Sequence, residues 1–523
     1  MKKTIYFLTL LVFMGVSCDS DLELTPQDSL TPENFYSNPA NFKSALYGIY
    51  DALQSAGMCD FISFADAISD NAVAQFNSVS DFEDFGRGQQ GSSANNTIID
   101  YYQDPFIVIQ RANSLLDNIE NEGILAEAER VAIRAEARAL RAIAYARLVY
   151  YFGDMPLITT VLSRSELLEL TRNPRAEVIA FVLSELEAAG EDLQDSPFDG
   201  EIGRLTKQAV LGMLARFSVF EARLGNLSWQ QALAATVNAR DAAEAGGNRL
   251  FIAGDGTNGG DNYRFLFYEV NEDNEEILFG VKFDELDQAE SVYGRYGILG
   301  GTLFMTVHAN LVDDFYTTDG LPITDGASIF DPNNPYENRD PRLAASIIVP
   351  GSLFSNGGEL VELTATSNTN AATPFFVRKQ VTKNGDENID LNGGGVPVTL
   401  DVIVLRYAEV LLLLAEAENE VNGPSAVAYD AINQVRTRVN MPNVATGLSQ
   451  IEFRDEVIHE RRVELAFEGT RWFDLVTLGI ADERINGINE GLGRTFNPNQ
   501  QELLPIPQIE IDRIPSLSQN PGY

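Results

Sequence analysis

The sequence predicts a mostly α-helical protein, built of tetratricopeptide-like helical hairpins, with a large irregular, loop-rich region set between two helical blocks. Three observations carry this. Apolar and alanine positions recur at three- and four-residue spacing over stretches of roughly 15 to 20 residues on both sides of the chain's middle. Capping residues and Gly or Pro punctuation bound those stretches. Between residues 246 and 399 this pattern gives way to Gly, Asn, Asp and Pro.

In chain order, Lys2 and Lys3 precede an apolar run from Ile5 to Met14, and Gly15, Val16 and Ser17 supply small residues for cleavage. Residues 1–17 read as a secretory signal, too short to span a bilayer core that needs about 20 helical residues. Cleavage there leaves Cys18 at the new N-terminus, which resembles a lipobox and predicts lipidation of its thiol. Cys59 is then the one other cysteine, so no intrachain disulfide is expected. Residues 18–40, rich in Asp, Ser, Thr, Pro and Asn, suit an extended tether. "NFKSALYGIYDAL" opens helical spacing. In "RVAIRAEARALRAIAYARLVYYFGDMP", Ala135, Ala139, Ala142 and Ala146 share one face, and the run stops at Gly153 with Pro156 beyond.

Asn173 with Pro174, Thr206, and the capping box Ser228 with Gln231 open the next helices. In the irregular region "EEILFGVKF" and "PFFVRKQV" read as strands. Helical pattern returns at "VIVLRYAEVLLLLAEAENEV", through Leu405, Ala408, Leu412 and Ala415, and again after the capping box Ser449 with Glu452. Neither helical block is complete alone. One composite domain over 41–523 is therefore expected, with a scaffold at 41–245 and 400–480, the irregular insertion at 246–399 and a tail at 481–523.

With 523 residues, 45% of them hydrophobic, the chain can bury a large core. Its net charge of −39 argues against nucleic acid and anionic membrane surfaces, which are bound through clustered Lys and Arg. "GRGQQG" from Gly86 to Gly91 matches a dinucleotide motif by letter, but no strand precedes it and no helix opens after it. His308 and His459 are the only histidines, which excludes a histidine-rich zinc site and leaves few ways to build a Ser-His-Asp triad. "GDGTNGGDN", around Asp255 and Asp261, reads as a solvated loop and departs from an EF-hand. No cofactor and no metal are expected.

In "HERRVELAFEGTRWFDLVTLG", Glu460, Arg461, Arg462, Glu464, Glu468, Arg471 and Asp474 crowd among apolar residues. One-turn spacing predicts acid–guanidinium pairs beside a packed face, a structural role. That stretch, with "VLRYAEVLLLLAEAENEV", "AINQVRTRVNMP" and "LLPIPQIEIDRIPSLSQNPGY" in this order after a lipobox, resembles the SusD/RagB family of outer-membrane lipoproteins of Bacteroidetes. "IVIQRANSLLDNI", "AEARALRAIAYARLVYYFGDMPL" and "GRLTKQAVLGMLARFSVFEA" extend the resemblance over most of the chain. It implies four tetratricopeptide-like hairpins, an irregular ligand-facing part and no catalysis. It further implies capture of glycans, or of peptides in some branches, and a partner TonB-dependent transporter similar to SusC. "DSDLE" after Cys18 resembles the acidic signal for surface display.

The resemblance transfers no ligand residue, so the site is read from loop chemistry. Flat aromatic faces stack on sugar rings while Asp, Asn and Arg bond hydroxyls. The candidates are Asp70, Asn71 and Arg87 in one loop, Tyr101 and Tyr102 in "DYYQDPF", and Tyr293, Arg295 and Tyr296 in "SVYGRYG". Trp229 lies in a helical stretch and Trp472 in the crowded motif shared with the family, which keeps a peptide ligand open beside a glycan. A surface glycosidase is the third reading, its carboxylate pair unidentifiable among 76 acidic residues.

Overall fold

The computed structural model describes residues 32–60, 62–74, 84, 87–89, 91, 96–120, 123–283, 305–356, 359–362, 372–380, 400–488 and 494–523. Its long helices are α1 (Pro39–Ala52), α2 (Asn96–Leu116), α3 (Glu127–Phe152), α4 (Arg175–Asp192), α5 (Lys207–Arg223), α6 (Trp229–Ala245), α7 (Tyr407–Asn422), α8 (Ala426–Arg438) and α9 (Gln450–Glu464). A shorter α10 spans Arg471–Thr477. Each of α1 to α7 packs on the next, and α8 and α9 both pack on α7. The α6–α7 contact crosses the whole irregular region, so the two helical blocks form one tetratricopeptide-like stack. No described helix is long and apolar enough to cross a membrane.

Local sequence explains several helix boundaries. Asn38 caps α1, its side chain accepting from the Ala40 amide at 3.0 Å, and Pro39 occupies the first turn. Thr206 caps α5, and reciprocal capping boxes open α6 and α9. On α3, Ala135, Ala139, Ala142 and Ala146 are all fully buried, which lets α2 and α4 approach closely. Gly153 ends α3 at φ +75°, and a Cβ there would stand 2.9 Å from Leu503.

Two boundaries differ from the sequence pattern. Asn173 does not cap α4: its side chain accepts from the Leu157 amide at 3.0 Å, while Asp154 accepts from the Arg175 amide at 2.7 Å. The Met155–Asn173 bridge folds the chain back and brings Asp154 over the helix start. Residues 402–406 are strand where helix is expected, and α7 starts at Tyr407. The three β-branched residues Val402, Ile403 and Val404 pair antiparallel with Ile277–Val281, and that tertiary pairing overrides a spacing that continues into the true helix.

The strands are β1 (Ala72–Ala74), β2 (Ile277–Val281), β3 (Met305–Val307), β4 (Ile347–Ile348), β5 (Leu353–Asn356), β6 (Glu359–Glu362), β7 (Phe376–Val377) and β8 (Val402–Arg406). They form two-stranded antiparallel pairs, β1–β3, β2–β8, β4–β7 and β5–β6. The two strands expected from sequence are β2 and β7. Gly212 of α5 lets β8 lie against that helix, since a Cβ there would sit 2.5 Å from the Leu405 side chain.

A buried ion network fastens the irregular region to the second helical block. Arg342 bonds Asp340 at 2.7 Å, Glu460 at 2.6 Å and Glu464 at 2.8 Å. Arg406 bonds Glu276 at 2.8 Å, Glu464 at 2.5 Å and Glu468 at 2.8 Å. Arg438 joins Glu276 to Glu464, Arg436 reaches Glu460, and Lys379 reaches Glu468. Asp340, Glu276, Glu460, Glu464 and Glu468 thus balance Arg342, Arg406, Arg436, Arg438 and Lys379. The role is structural, as expected, but the partners are not one turn apart. Arg461 likewise reaches Asp474 at 3.1 Å, and Asp474 is shared with Arg223. The crowded motif supplies charges for distant segments to meet.

Candidate functional site

Residues flanking three stretches of the irregular region, together with those of β1, gather around one small strip of sheet. β1 pairs with β3 as Val73 with Thr306 and Ala74 with Met305. Thr373 donates its hydroxyl to the Val307 carbonyl at 2.6 Å, and the Val307 amide donates to Phe375 at 3.0 Å. The chain therefore leaves for residues 75–83, returns from 284–304 and returns from 363–371 beside the same strands, and leaves again for 381–399 just after Gln380.

Asp70 and Asn71 hold this strip and do not face solvent. Both are fully buried. Asp70 takes a fork from Arg471 at 2.8 Å on each oxygen and pairs with Arg462 at 3.1 Å. Burial alone would raise its pKa, but the two guanidiniums hold it well below the usual carboxylate range. Asn71 accepts from Arg462 at 3.0 Å, donates to Asp66 at 2.7 Å, and its carbonyl receives the His308 amide at 2.9 Å. Burial pushes Asp66 up to about 6. These residues position the loop base, a correction to the expectation that they contact ligand. The polar letters that suggest hydroxyl recognition serve guanidiniums arriving from nearly 400 positions later, a partner the local sequence does not show.

Tyr101 and Tyr102 are also corrected. "DYYQDPF" is not a loop: it lies inside α2, with Pro105 in the helix interior. Each tyrosine is 3% exposed. Tyr101 packs on Tyr151, its ring 4.6 Å from the Arg147 guanidinium, and Tyr102 packs edge-on to Phe152 at 5.2 Å. Helical periodicity turns both toward α3, and the proline masks that reading. Arg87 is half-buried, and its stretch is tied to the tail by the Gly88 carbonyl, which accepts from Gln501 at 2.6 Å. Tyr293, Arg295, Tyr296 and Cys18 lie outside the described residues.

An open trough adjoins the root of 284–304. It encloses about 670 Å³ between α1, residues 201–204 and the end of β2, and Phe283 lies at its edge. Tyr47, which sequence reading missed, is 42% exposed there, its hydroxyl donating to Glu201 at 2.7 Å and Lys43 lying 5.7 Å from its ring. Gln54 donates to the Lys282 carbonyl at 2.7 Å, and Ile202 is 69% exposed. A smaller depression of about 280 Å³ shares Ile202, Gly203, Arg204 and Lys282 with it. Behind, Glu272 is pushed up to about 7 by burial and by Asp401. An accessible phenol face bordered by carboxylate, amide and ammonium groups suits a ligand with both C–H faces and hydroxyls. Tyr47 sits within "NFKSALYGIYDAL" at a helix-surface position that periodicity alone marks only as solvent-facing.

His308 is buried with its ring nitrogen 3.0 Å from Arg494, and His459 stacks on Tyr316 at 3.8 Å. Among the described residues no three His, Cys, Asp or Glu side chains gather as metal ligands.

Comparison with known proteins gives a consistent result. Residues 252–523 match the model of the SusD family, and residues 20–219 match a model described as starch-binding, associating with outer membrane. A SusD-like protein of Formosa agariphila is 27% identical, with 98% of each chain covered. A SusD-like carbohydrate binding protein of Bacteroides fragilis superposes with a TM-score of 0.76 at 26% identity, covering 92% of this chain and 100% of that one. A laminarin binding SusD-like protein gives 0.70 at 24% identity, over 93% of this chain and 100% of that one. The helical stack, the buried ion motif and the family match over more than half of the sequence converge: the chain belongs to the SusD family.

Proposed function

We propose that this chain is a lipid-anchored outer-membrane protein facing the cell exterior, which captures a glycan without turning it over and delivers it to a SusC-like TonB-dependent transporter. The observation that carries the glycan reading is the trough: an exposed Tyr47 face with a polar rim, opening where β2 runs into the segment that holds Tyr293, Arg295 and Tyr296. The names of the Bacteroides fragilis and laminarin-binding relatives support it. Arg87 remains a proposed ligand contact. A peptide ligand is the second reading, favoured by the placement of both tryptophans in helices, with Trp472 4% exposed.

Calorimetry of the mature chain against neutral oligosaccharides, laminari- and malto-oligosaccharides first, tests the glycan reading. Each stacked tyrosine contributes about 1 kcal/mol beyond area burial. Tyr293→Ala with Tyr296→Ala is expected to weaken binding at least tenfold and leave the melting temperature nearly unchanged. Intact affinity with a large drop in melting temperature would make these tyrosines core residues. Retention of peptides alone would favour the second reading, and release of reducing sugar from a retained glycan would favour a glycosidase.

For the anchor, Cys18→Ala is expected to move the protein from the outer-membrane fraction to the soluble fraction in cells lacking the transporter. Persistence in the membrane after a high-salt wash would exclude the lipid attachment.

A further inference from the structure

The depression of about 280 Å³ beside the trough is lined by two amide side chains whose oxygens lack donors. They belong to Gln208, which is 6% exposed, and Asn248. Gln208 Nε2 donates to the Asp195 carbonyl at 2.7 Å, and Gly246 makes room for that nitrogen, since a Cβ there would stand 2.7 Å from it. Asn248 Nδ2 donates to the Glu275 carbonyl at 3.0 Å. Exchanging oxygen and nitrogen in either amide would set carbonyl against carbonyl, so both orientations are fixed. Among the described residues Gln208 Oε1 and Asn248 Oδ1 are buried without a hydrogen-bond partner, which is costly for an acceptor.

The same space is short of positive charge. Glu272, Asp273 and Asp401 line it, and Lys282 serves two of them, Asp273 at 2.6 Å and Asp401. Arg204, the other cation on its wall, is taken up by Glu136 and Glu201. Glu272 accepts from the Asp401 amide at 2.7 Å, and no ion pair reaches it among the described residues. Its pKa of about 7, raised by burial and then by Asp401, is that of a carboxylate without a cation of its own. A hard divalent ion would need six or more oxygens drawn around one point. Among the described residues the carboxylates do not gather in that way. A primary ammonium asks for less: it carries one charge and three donors.

We propose that this depression is an ammonium subsite of the trough, in which a hexosamine residue without an N-acetyl group donates from its ammonium to Glu272 and to the carbonyl oxygens of Gln208 and Asn248. The inference rests on the glycan reading of the trough, with which the depression shares Ile202, Gly203, Arg204 and Lys282, so a neighbouring ring of the same glycan extends toward Tyr47. A hydroxyl in the ammonium's place brings one donor and no charge. An N-acetyl group brings a carbonyl and a methyl to a wall that already has acceptors in excess, and Glu272 keeps its uncompensated charge. Discrimination therefore comes from buried acceptors that the wrong sugar leaves unmet.

Calorimetry of the mature chain at pH 7 tests this with three β-linked glucose disaccharides that differ only at the 2-positions: hydroxyl, free amine and N-acetyl. The amine form is expected to bind at least tenfold more tightly than either of the others. Glu272→Gln keeps the side chain's shape and the acceptor for the Asp401 amide, and is expected to erase that preference at a nearly unchanged melting temperature. Equal binding of the amine and hydroxyl forms overturns the subsite and leaves the glycan reading standing, whereas failure of all three disaccharides and of laminari- and malto-oligosaccharides sinks both. A preference that Glu272→Gln retains is attraction to the chain's overall negative charge, and overturns the proposal. Tighter binding of a short lysine peptide than of the amine disaccharide also overturns it, in favour of a peptide amine.

Discussion

Replacing Arg406 with Met is expected to lower the unfolding free energy by about 3–5 kcal/mol, the cost of removing one partner from a buried ion cluster. Arg406 is fully buried and shared by Glu276, Glu464 and Glu468. Methionine fills similar volume but leaves five acids facing four cations. Arg406→Lys should rescue only partly, because a single ammonium cannot serve three carboxylates through a planar fork. Despite burial, Arg438, Arg406 and Arg342 hold Glu464 well below its ordinary value of 4.5. The unfolded chain therefore binds more protons than the folded one once pH falls below about 4.5, and stability declines with acidification from there. The variant should show a shallower acid decline on top of its lower baseline. Urea midpoints at pH 7 and across the acid range measure both, and a loss under about 1 kcal/mol at pH 7 would mean the network is not what fastens the irregular region.

Asp70→Asn is the second large effect. The substitution keeps shape but leaves Arg471 and Arg462 without their shared carboxylate, and about 3–5 kcal/mol is expected for a cation left buried. Asp70 stands two residues before β1, so the loop base should loosen and glycan affinity fall together with the melting temperature. Tyr293→Ala with Tyr296→Ala is expected to separate these quantities, and the contrast distinguishes positioning from contact. Lost affinity at an unchanged melting temperature in Asp70→Asn would return this carboxylate to the ligand.

The sequence by itself determined the helical stack. Period and caps are properties of neighbouring residues, and Ala135 to Ala146, Thr206, Ser228 and Ser449 act within one or two turns of their own position. The ordered motifs after the lipobox also led to the family. What tertiary structure decided was every role that depends on a distant partner. The 402–406 strand needed β2, and the α4 cap needed the fold-back that brings Asp154 over Arg175. Asp70 and Asn71 looked like ligand residues until α9 and α10 delivered Arg462 and Arg471, and Tyr101 and Tyr102 until α3 covered them. Tyr47 became a candidate only when residues 201–204 and β2 walled the space beside it. A side chain's chemistry is written locally, but whether it is spent on the protein's own interior or left for a ligand depends on what the rest of the chain packs against it.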